Sequence, residues 1–177
     1  MGEKYSALKP VHIEFIQKQK MFFVATAPKS GRINLSPKGL DTFKILDANR
    51  ILWLNLTGSG NETAAHLTED SRMTIMFNAF EGNPLILRLY GTARTVHPDE
   101  HEWNNLIKHF PELPGNRQII DMKVDTVHTS CGFGVPLYEF KGERGELIKW
   151  AEKKGEKGIL EYQKEKNSIS MDGKKIR

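Results

Sequence analysis

The sequence predicts a mainly β domain with flanking helices, built on an antiparallel barrel of about six strands that is closed or nearly so. Two observations carry this reading. Short β-rich segments follow one another with connections too short for a helical crossover, so neighbouring strands run antiparallel in meander order. The helical patterns between them are short, and they stand beside the strands rather than alternating with each one.

Taken in order, Pro10 opens a short helix over residues 10–19, with Val11, Ile13, Phe15 and Ile16 as its apolar positions. Met21–Ala27 is a β-rich run, Lys29-Ser30-Gly31 a turn, and Arg32–Leu35 resumes as a strand, so 21–35 reads as a hairpin. Ser36-Pro37-Lys38-Gly39 reads as a loop. Phe43–Asp47 and Ile51–Leu54 are two strands joined by Ala48-Asn49-Arg50. Thr57-Gly58-Ser59-Gly60 breaks the pattern, and Asn61 can cap a helix running to about Glu69. Arg72–Asn78 alternates with period two, Phe80–Pro84 turns, and Leu85–Val96 is a long strand. Pro98–Phe110 is helical in pattern, Gln118–His128 is a last strand, and Gly132, Gly134 and Pro136 mark an irregular loop. Residues 143–166 read as helix split at Gly155 and Gly158, and Ser168–Arg177 as a frayed tail. The predicted division is a barrel domain over 1–140 and a charged helical segment with tail over 141–177, packed on the same domain.

Composition narrows the function classes. With 38% hydrophobic and 27% charged residues, the 177-residue chain reads as globular. No apolar run reaches the length needed to span a bilayer, and MGEKYSALKP lacks the apolar core of a signal peptide, so a cytoplasmic protein without membrane attachment is expected. A single cysteine, Cys131, excludes an internal disulfide and a multi-cysteine zinc site. The net charge of +4 invites a nucleic-acid reading, but residues 1–140 hold 15 basic and 15 acidic side chains. The excess lies wholly in 141–177, where 11 basic and 7 acidic residues mix as on solvated helices, so no nucleic-acid partner is expected.

Residues 55–66, Asn-Leu-Thr-Gly-Ser-Gly-Asn-Glu-Thr-Ala-Ala-His, are the most informative stretch. They follow a strand and open a helix. Glycines allow close backbone approach, Thr57, Ser59, Asn61 and Thr63 supply hydrogen bonds, and free N–H groups at a helix start favour a phosphate. A plain capped turn is the alternative. A dinucleotide fingerprint fits less well: Gly58-x-Gly60 suits its start and Glu81 lies 21 residues beyond Gly60, but Thr63 is a poor third small residue. The chain then also continues strand to strand through 72–78 and 85–96, where a doubly wound fold needs a helical crossover.

Together, Ser36–Gly39, the stretch Thr57–Leu67, Arg72–Phe77, the run Leu87-Arg88-Leu89-Tyr90-Gly91-Thr92-Ala93 and the segment Ser130-Cys131-Gly132-Phe133-Gly134-Val135-Pro136 resemble the pyridoxamine 5′-phosphate oxidase-related flavoproteins. The resemblance covers roughly residues 10–166. It implies an FMN-binding split β-barrel that works as a homodimer, with FMN held in clefts at the subunit interface. It implies that Ser36, Pro37 and Lys38 lie along the flavin and ribityl chain. Thr57, Ser59, Asn61 and Thr63 would surround the phosphate or ribityl hydroxyls, and Cys131, Gly132 and Phe133 would approach the isoalloxazine. The chemistry agrees: Lys38 can neutralise a phosphate, and Phe133 can cover a flat ring. Two departures stand out. Where the oxidases proper carry an Arg-Lys pair that grips phosphate, this chain has Glu62 and Thr63. It also has no counterpart of their C-terminal Arg-rich, Trp-containing substrate motif. Both point away from pyridoxamine phosphate as substrate more than from FMN.

Arg88 is a candidate flavin or phosphate contact, with an acid-paired barrel-exterior or interface arginine as its alternative. Arg72 after Glu69-Asp70 is expected in a local ion pair. His97-Pro98-Asp99-Glu100-His101 spells an inverted zinc-protease motif, but Pro98 favours the first helical position and leaves His97 outside the helix, so no metal is expected. His66 is expected on a helix surface and His128 in a structural role. Cys131 is expected to be small and buried, and Trp53, Trp103 and Trp150 to serve packing. The expected function is FMN-dependent oxidoreduction with an unknown small-molecule substrate and no nameable catalytic acid or base. The alternatives are a non-catalytic flavin-binding or sensing module, and a related barrel that holds deazaflavin or haem.

Overall fold

The computed structural model describes residues 2–177. In chain order its elements are β1 (Glu3–Tyr5), α1 (Pro10–Lys18), β2 (Phe22–Thr26), β3 (Asn34–Lys38), β4 (Phe43–Asp47), β5 (Arg50–Leu56) and α2 (Glu62–Leu67). They continue with β6 (Arg72–Asn78), β7 (Ile86–Val96), α3 (Trp103–Leu106), a 3-10 turn (Ile107–His109), β8 (Asn116–Ser130) and α4 (Glu146–Lys166). The strands form one antiparallel sheet in the order β3-β2-β6-β7-β8-β5-β4, with β1 beside β8. The sheet thus has eight strands rather than about six. The 15-residue β8 pairs with β7 along its length and divides its other edge between β5 and β1.

The connectivity forces the sheet to curl. β3 and β4 stand at opposite ends of the seven-strand path, about 29 Å apart if it lay flat. Only residues 39–42 join them, and that length of chain reaches at most about 18 Å. Leu40 (φ 63°) and Asp41 (φ 54°) both take the left-handed conformation, which tightens the turn further. The two ends therefore face each other across a seam that no ladder closes. Side chains fill it: Phe43 of β4 lies 5.1 Å from Phe22 of β2 and 5.0 Å from Phe77 of β6, ring centroid to centroid. Trp53 completes the cluster edge-on to Phe22.

Period-two patterning places Phe22, Val24, Ile51, Trp53, Ile75, Leu87, Leu89, Ile120 and Met122 in the barrel interior. The opposite face of β5, Leu52 and Leu54, packs with Val96 and Ile119 under Trp103, Leu106 and Phe110. β5 is consequently buried on both faces, and full burial of each such leucine contributes about 1.5–3 kcal/mol.

Several boundaries differ from the sequence reading, each for a local reason. Ser36-Pro37-Lys38 is not loop: these residues end β3, an edge strand, where Pro37 can sit without leaving an inner ladder unpaired. The stretch Pro98–Phe110 yields only α3 and a 3-10 turn. α4 is interrupted at Gly155 (φ 66°, ψ 170°), not at Gly158. Residues 168–177 are ordered rather than frayed. Ile169 bridges Lys175, Ile176 packs on Ala64 and Ala65, and Asp172 and Lys174 pair with Arg32 and Glu69. Among the described residues no helix is long and apolar enough to cross a membrane.

Candidate functional site

Two features make up the candidate site. The first is a groove of about 1760 Å³ between α1, residues 37–40, the 79–85 turn and residues 138–147. Pro37, Lys38 and Gly39 line it, and Phe15, Phe80, Tyr138 and Phe140 supply aromatic surface. The segment after β8 forms one wall through two hydrogen bonds, from Tyr138 N to Phe80 O (3.0 Å) and from Phe140 N to Glu81 Oε1 (3.0 Å).

The second feature is a buried polar cluster behind the 57–61 loop. Arg117, at the start of β8, is 6% exposed. Its Nη1 donates to Gly60 O (3.1 Å) and Asn167 Oδ1 (2.6 Å), and its Nη2 donates to Asn55 Oδ1 (3.1 Å). Its Nε is buried without a partner among the described residues. Asn55 Nδ2 donates onward to Asn61 Oδ1 (3.3 Å) and Gln118 Oε1 (3.0 Å). The end of α4 covers the cluster: Gln163 Nε2 donates to Thr57 Oγ1 (2.8 Å), and Asn167 Nδ2 donates to Gly58 O (3.1 Å).

Lys38 belongs to the groove and feels the charge of Arg117. It lines the groove, and its Nζ stands 5.1 Å from the centre of the Trp53 ring. Burial, reinforced by the charge of Arg117, pushes its amine down to about 8. Burial likewise lowers Arg117 to about 10. Among the described residues, neither cation has a carboxylate within ion-pair distance.

The sequence candidates are thus divided. Pro37 and Lys38 line the groove, and Ser36 precedes them on β3. Thr57 and Asn61 belong to the polar cluster. The Thr57 hydroxyl donates to Gly115 O (2.7 Å), and Asn61 Nδ2 donates to Asn167 O (3.5 Å). Asn61 makes no side-chain cap to α2, which has only six residues, so the expected phosphate-binding helix start is weak. Ser59 is exposed, while Thr63 is buried and accepts from Asn34 Nδ2 (3.3 Å). Arg88 is half-buried and donates to Ser130 Oγ (3.1 Å) rather than to an acid. Beyond Ser130, Cys131 is exposed rather than buried, Gly132 packs on the Leu85 backbone at the groove rim, and Phe133 is 82% exposed.

His66 is buried rather than on a helix surface, with Nδ1 3.0 Å from Thr26 Oγ1 and Nε2 without a partner among the described residues. Arg72 pairs with Asp70, as its spacing indicates. Arg117 escaped sequence reading because it heads an apolar strand and all its partners lie at least 50 residues away. Glu62, one of the residues standing where a phosphate-gripping pair was sought, instead accepts from Met171 N (3.0 Å) and anchors the tail.

Comparison with known proteins connects this arrangement to a family. The profile described as pyridoxamine 5′-phosphate oxidase matches residues 8–131. The pyridoxamine 5′-phosphate oxidase family protein ustO of Aspergillus flavus is 36% identical over 187 aligned residues, which cover 96% of this chain and 75% of that protein. Among solved structures, the FAD-binding protein from Mycobacterium smegmatis superposes with a TM-score of 0.52 at 11% identity, covering 70% of this chain and 96% of the other. HutZ, the haem storage protein from Vibrio cholerae, does so with a TM-score of 0.51 at 19% identity, covering 71% and 97%. The fold is therefore one on which proteins named for flavin and for haem are both built. With a profile match across residues 8–131 and a relative 36% identical across 96% of this chain, this chain belongs to the pyridoxamine 5′-phosphate oxidase family.

Proposed function

We propose that the protein is an FMN-binding flavoprotein that acts as an oxidoreductase and works as a homodimer. The observation that carries this reading is the groove along Pro37, Lys38 and Gly39, with aromatic side chains around it. These residues fit FMN in kind. Phe80, Tyr138 and Phe140 offer surface for a flat ring, residues 37–39 offer backbone, and Lys38 offers positive charge toward the phosphate. Bound FMN supplies hydride or single-electron transfer. The chain's own part is to position the cofactor, limit water at the groove and balance the phosphate charge. Ser59, Arg88, Cys131 and Phe133 remain candidate contacts at the groove's margin and toward the partner subunit. Exposed Ile33 just before edge strand β3 and exposed Leu35 on it, with exposed Phe133 and Leu137, support a second copy packing here.

A non-catalytic flavin module is the second reading. It is favoured by the C-terminal segment, which docks on the 57–61 loop through Gln163 and Asn167 and lacks the Arg-rich, Trp-containing substrate motif of the oxidases proper. The visible absorbance of the purified chain, with and without added FMN, tests both. Paired flavin bands retained through gel filtration and bleached by NAD(P)H or a candidate substrate are expected. Retained flavin that no reductant or substrate turns over selects the second reading. A Soret band in place of flavin bands, or no retained flavin at excess FMN, overturns both.

A further inference from the structure

Among the described residues, Lys38 and Arg117 are desolvated cations with no ion-pair partner. A guanidinium that is 6% exposed is ordinarily held by carboxylates, yet Arg117 donates only to three neutral oxygens, on Gly60, Asn55 and Asn167. Among the described residues its Nε–H is buried without an acceptor, a state rarely tolerated unless the site has another use. Lys38 adds a second desolvated cation, which lines the groove with its Nζ 5.1 Å from the centre of the Trp53 ring and whose amine is lowered in part by the charge of Arg117. Two buried like charges with no counter-ion form a site arranged for an anion. The backbone agrees: Gly58 has open space where a side chain would stand.

The shortest of the Arg117 hydrogen bonds, 2.6 Å, runs to the side-chain oxygen of Asn167, the residue that caps α4. Asn167 is itself 3% exposed, so an amide carried in from the C-terminal segment stands where a charged oxygen would be worth more.

We propose that Arg117 and Lys38 are the charged half of an oxyanion site for a phosphate monoester, and that the Asn167 amide oxygen competes with the oxyanion for the Arg117 guanidinium. The site deepens the flavin reading and rests on it, with the monoester being the FMN phosphate. β8 thereby supplies the charge that Glu62 and Thr63 do not. The C-terminal segment becomes a clasp whose docking and the anion's binding draw on the same donor.

The experiment compares FMN, riboflavin and inorganic phosphate on the full chain and on three variants, read by flavin fluorescence and thermal shift. Wild type is expected to hold FMN at least 10-fold tighter than riboflavin. Arg117→Met and Lys38→Met are expected to erase that difference while riboflavin affinity stays within twofold. Asn167→Ala is expected to tighten FMN severalfold and leave riboflavin unchanged. The Lys38 variant guards against an Arg117 variant that fails to fold, since it removes a desolvated charge. Variants that retain the full FMN preference overturn the site, and an Asn167→Ala protein that binds FMN no tighter than wild type overturns the competition. If neither flavin binds, the flavin reading has failed on its own. The oxyanion site then stands if phosphate raises the wild-type melting temperature but not that of the Lys38 and Arg117 variants, and falls if phosphate does nothing.

Discussion

Lys38 carries a cost that pH can reveal. Its amine has an ordinary value of 10.5 and is held at about 8 in the folded chain. Between those values the unfolded chain binds the extra proton, so stability rises with pH across that interval. The penalty is complete below about pH 8, is relieved as pH climbs, and is gone above about 10.5. Lys38→Met is therefore expected to melt higher than wild type at pH 7, by roughly 3 °C, and to show no advantage near pH 10.5. A wild type that outlasts the variant at neutral pH would mean that the Trp53 ring compensates the charge in full. Lys38 stands out in the sequence because Ser36–Gly39 is a compact local motif, and the folded chain puts it on the groove wall. Arg117 does not, since a residue near the start of a strand acquires meaning only when Gly60, Asn55 and Asn167 fold onto it. His66 was misread for the same reason: the local pattern gives a helix position, but not that Thr26 of β2 lies against it.

Strands were read well wherever side-chain alternation defined them, as in β6, whose observed limits Arg72–Asn78 match the reading. What alternation does not reveal is a bulge. The β7–β8 ladder shifts register between Tyr90 and Gly91, where Tyr90 faces Thr126 but Gly91 faces Val124, so Asp125 is the extra residue. At Gly91 an added Cβ would stand 2.0 Å from the Lys123 carbonyl oxygen, which is backbone and cannot swing aside. Gly91→Ala is accordingly expected to cost roughly 3 kcal/mol, lowering the melting temperature by about 10 °C, as calorimetry would measure. An unchanged melting temperature would show that the bulge can shift along β8. In α4 the break at Gly155 was legible, because its conformation (φ 66°, ψ 170°) is one that glycine alone adopts readily. The order of residues 168–177 was not. Composition there is polar, and what holds it are remote partners: Glu62, Glu69, Arg32 and the Ala64–Ala65 surface.

At the scale of the whole molecule, the barrel was legible because short connections leave few antiparallel topologies, and the 39–42 turn obliges the sheet ends to meet. Where the barrel presents itself to other molecules was less legible. Ile33 and Leu35 flank the Asn34 start of edge strand β3 at 76% and 65% exposure, and Phe133 and Leu137 reach 82% and 76% on the segment after β8. Large apolar side chains on an unpaired strand and a neighbouring irregular segment are an aggregation hazard in a monomer. Closed two-fold symmetry removes it by burying the same patch on both copies. A chain of 20.2 kDa is therefore expected to scatter light as a species of about 40 kDa at micromolar concentration. The double substitution Phe133→Ser, Leu137→Ser should return it to the monomer mass without loss of β-sheet circular dichroism, because neither side chain belongs to the core. If the partner also covers the groove, the same variant releases FMN faster than wild type. If wild type itself runs at the monomer mass, the exposed segment serves a different partner, and the groove must hold its ligand with the residues of one chain.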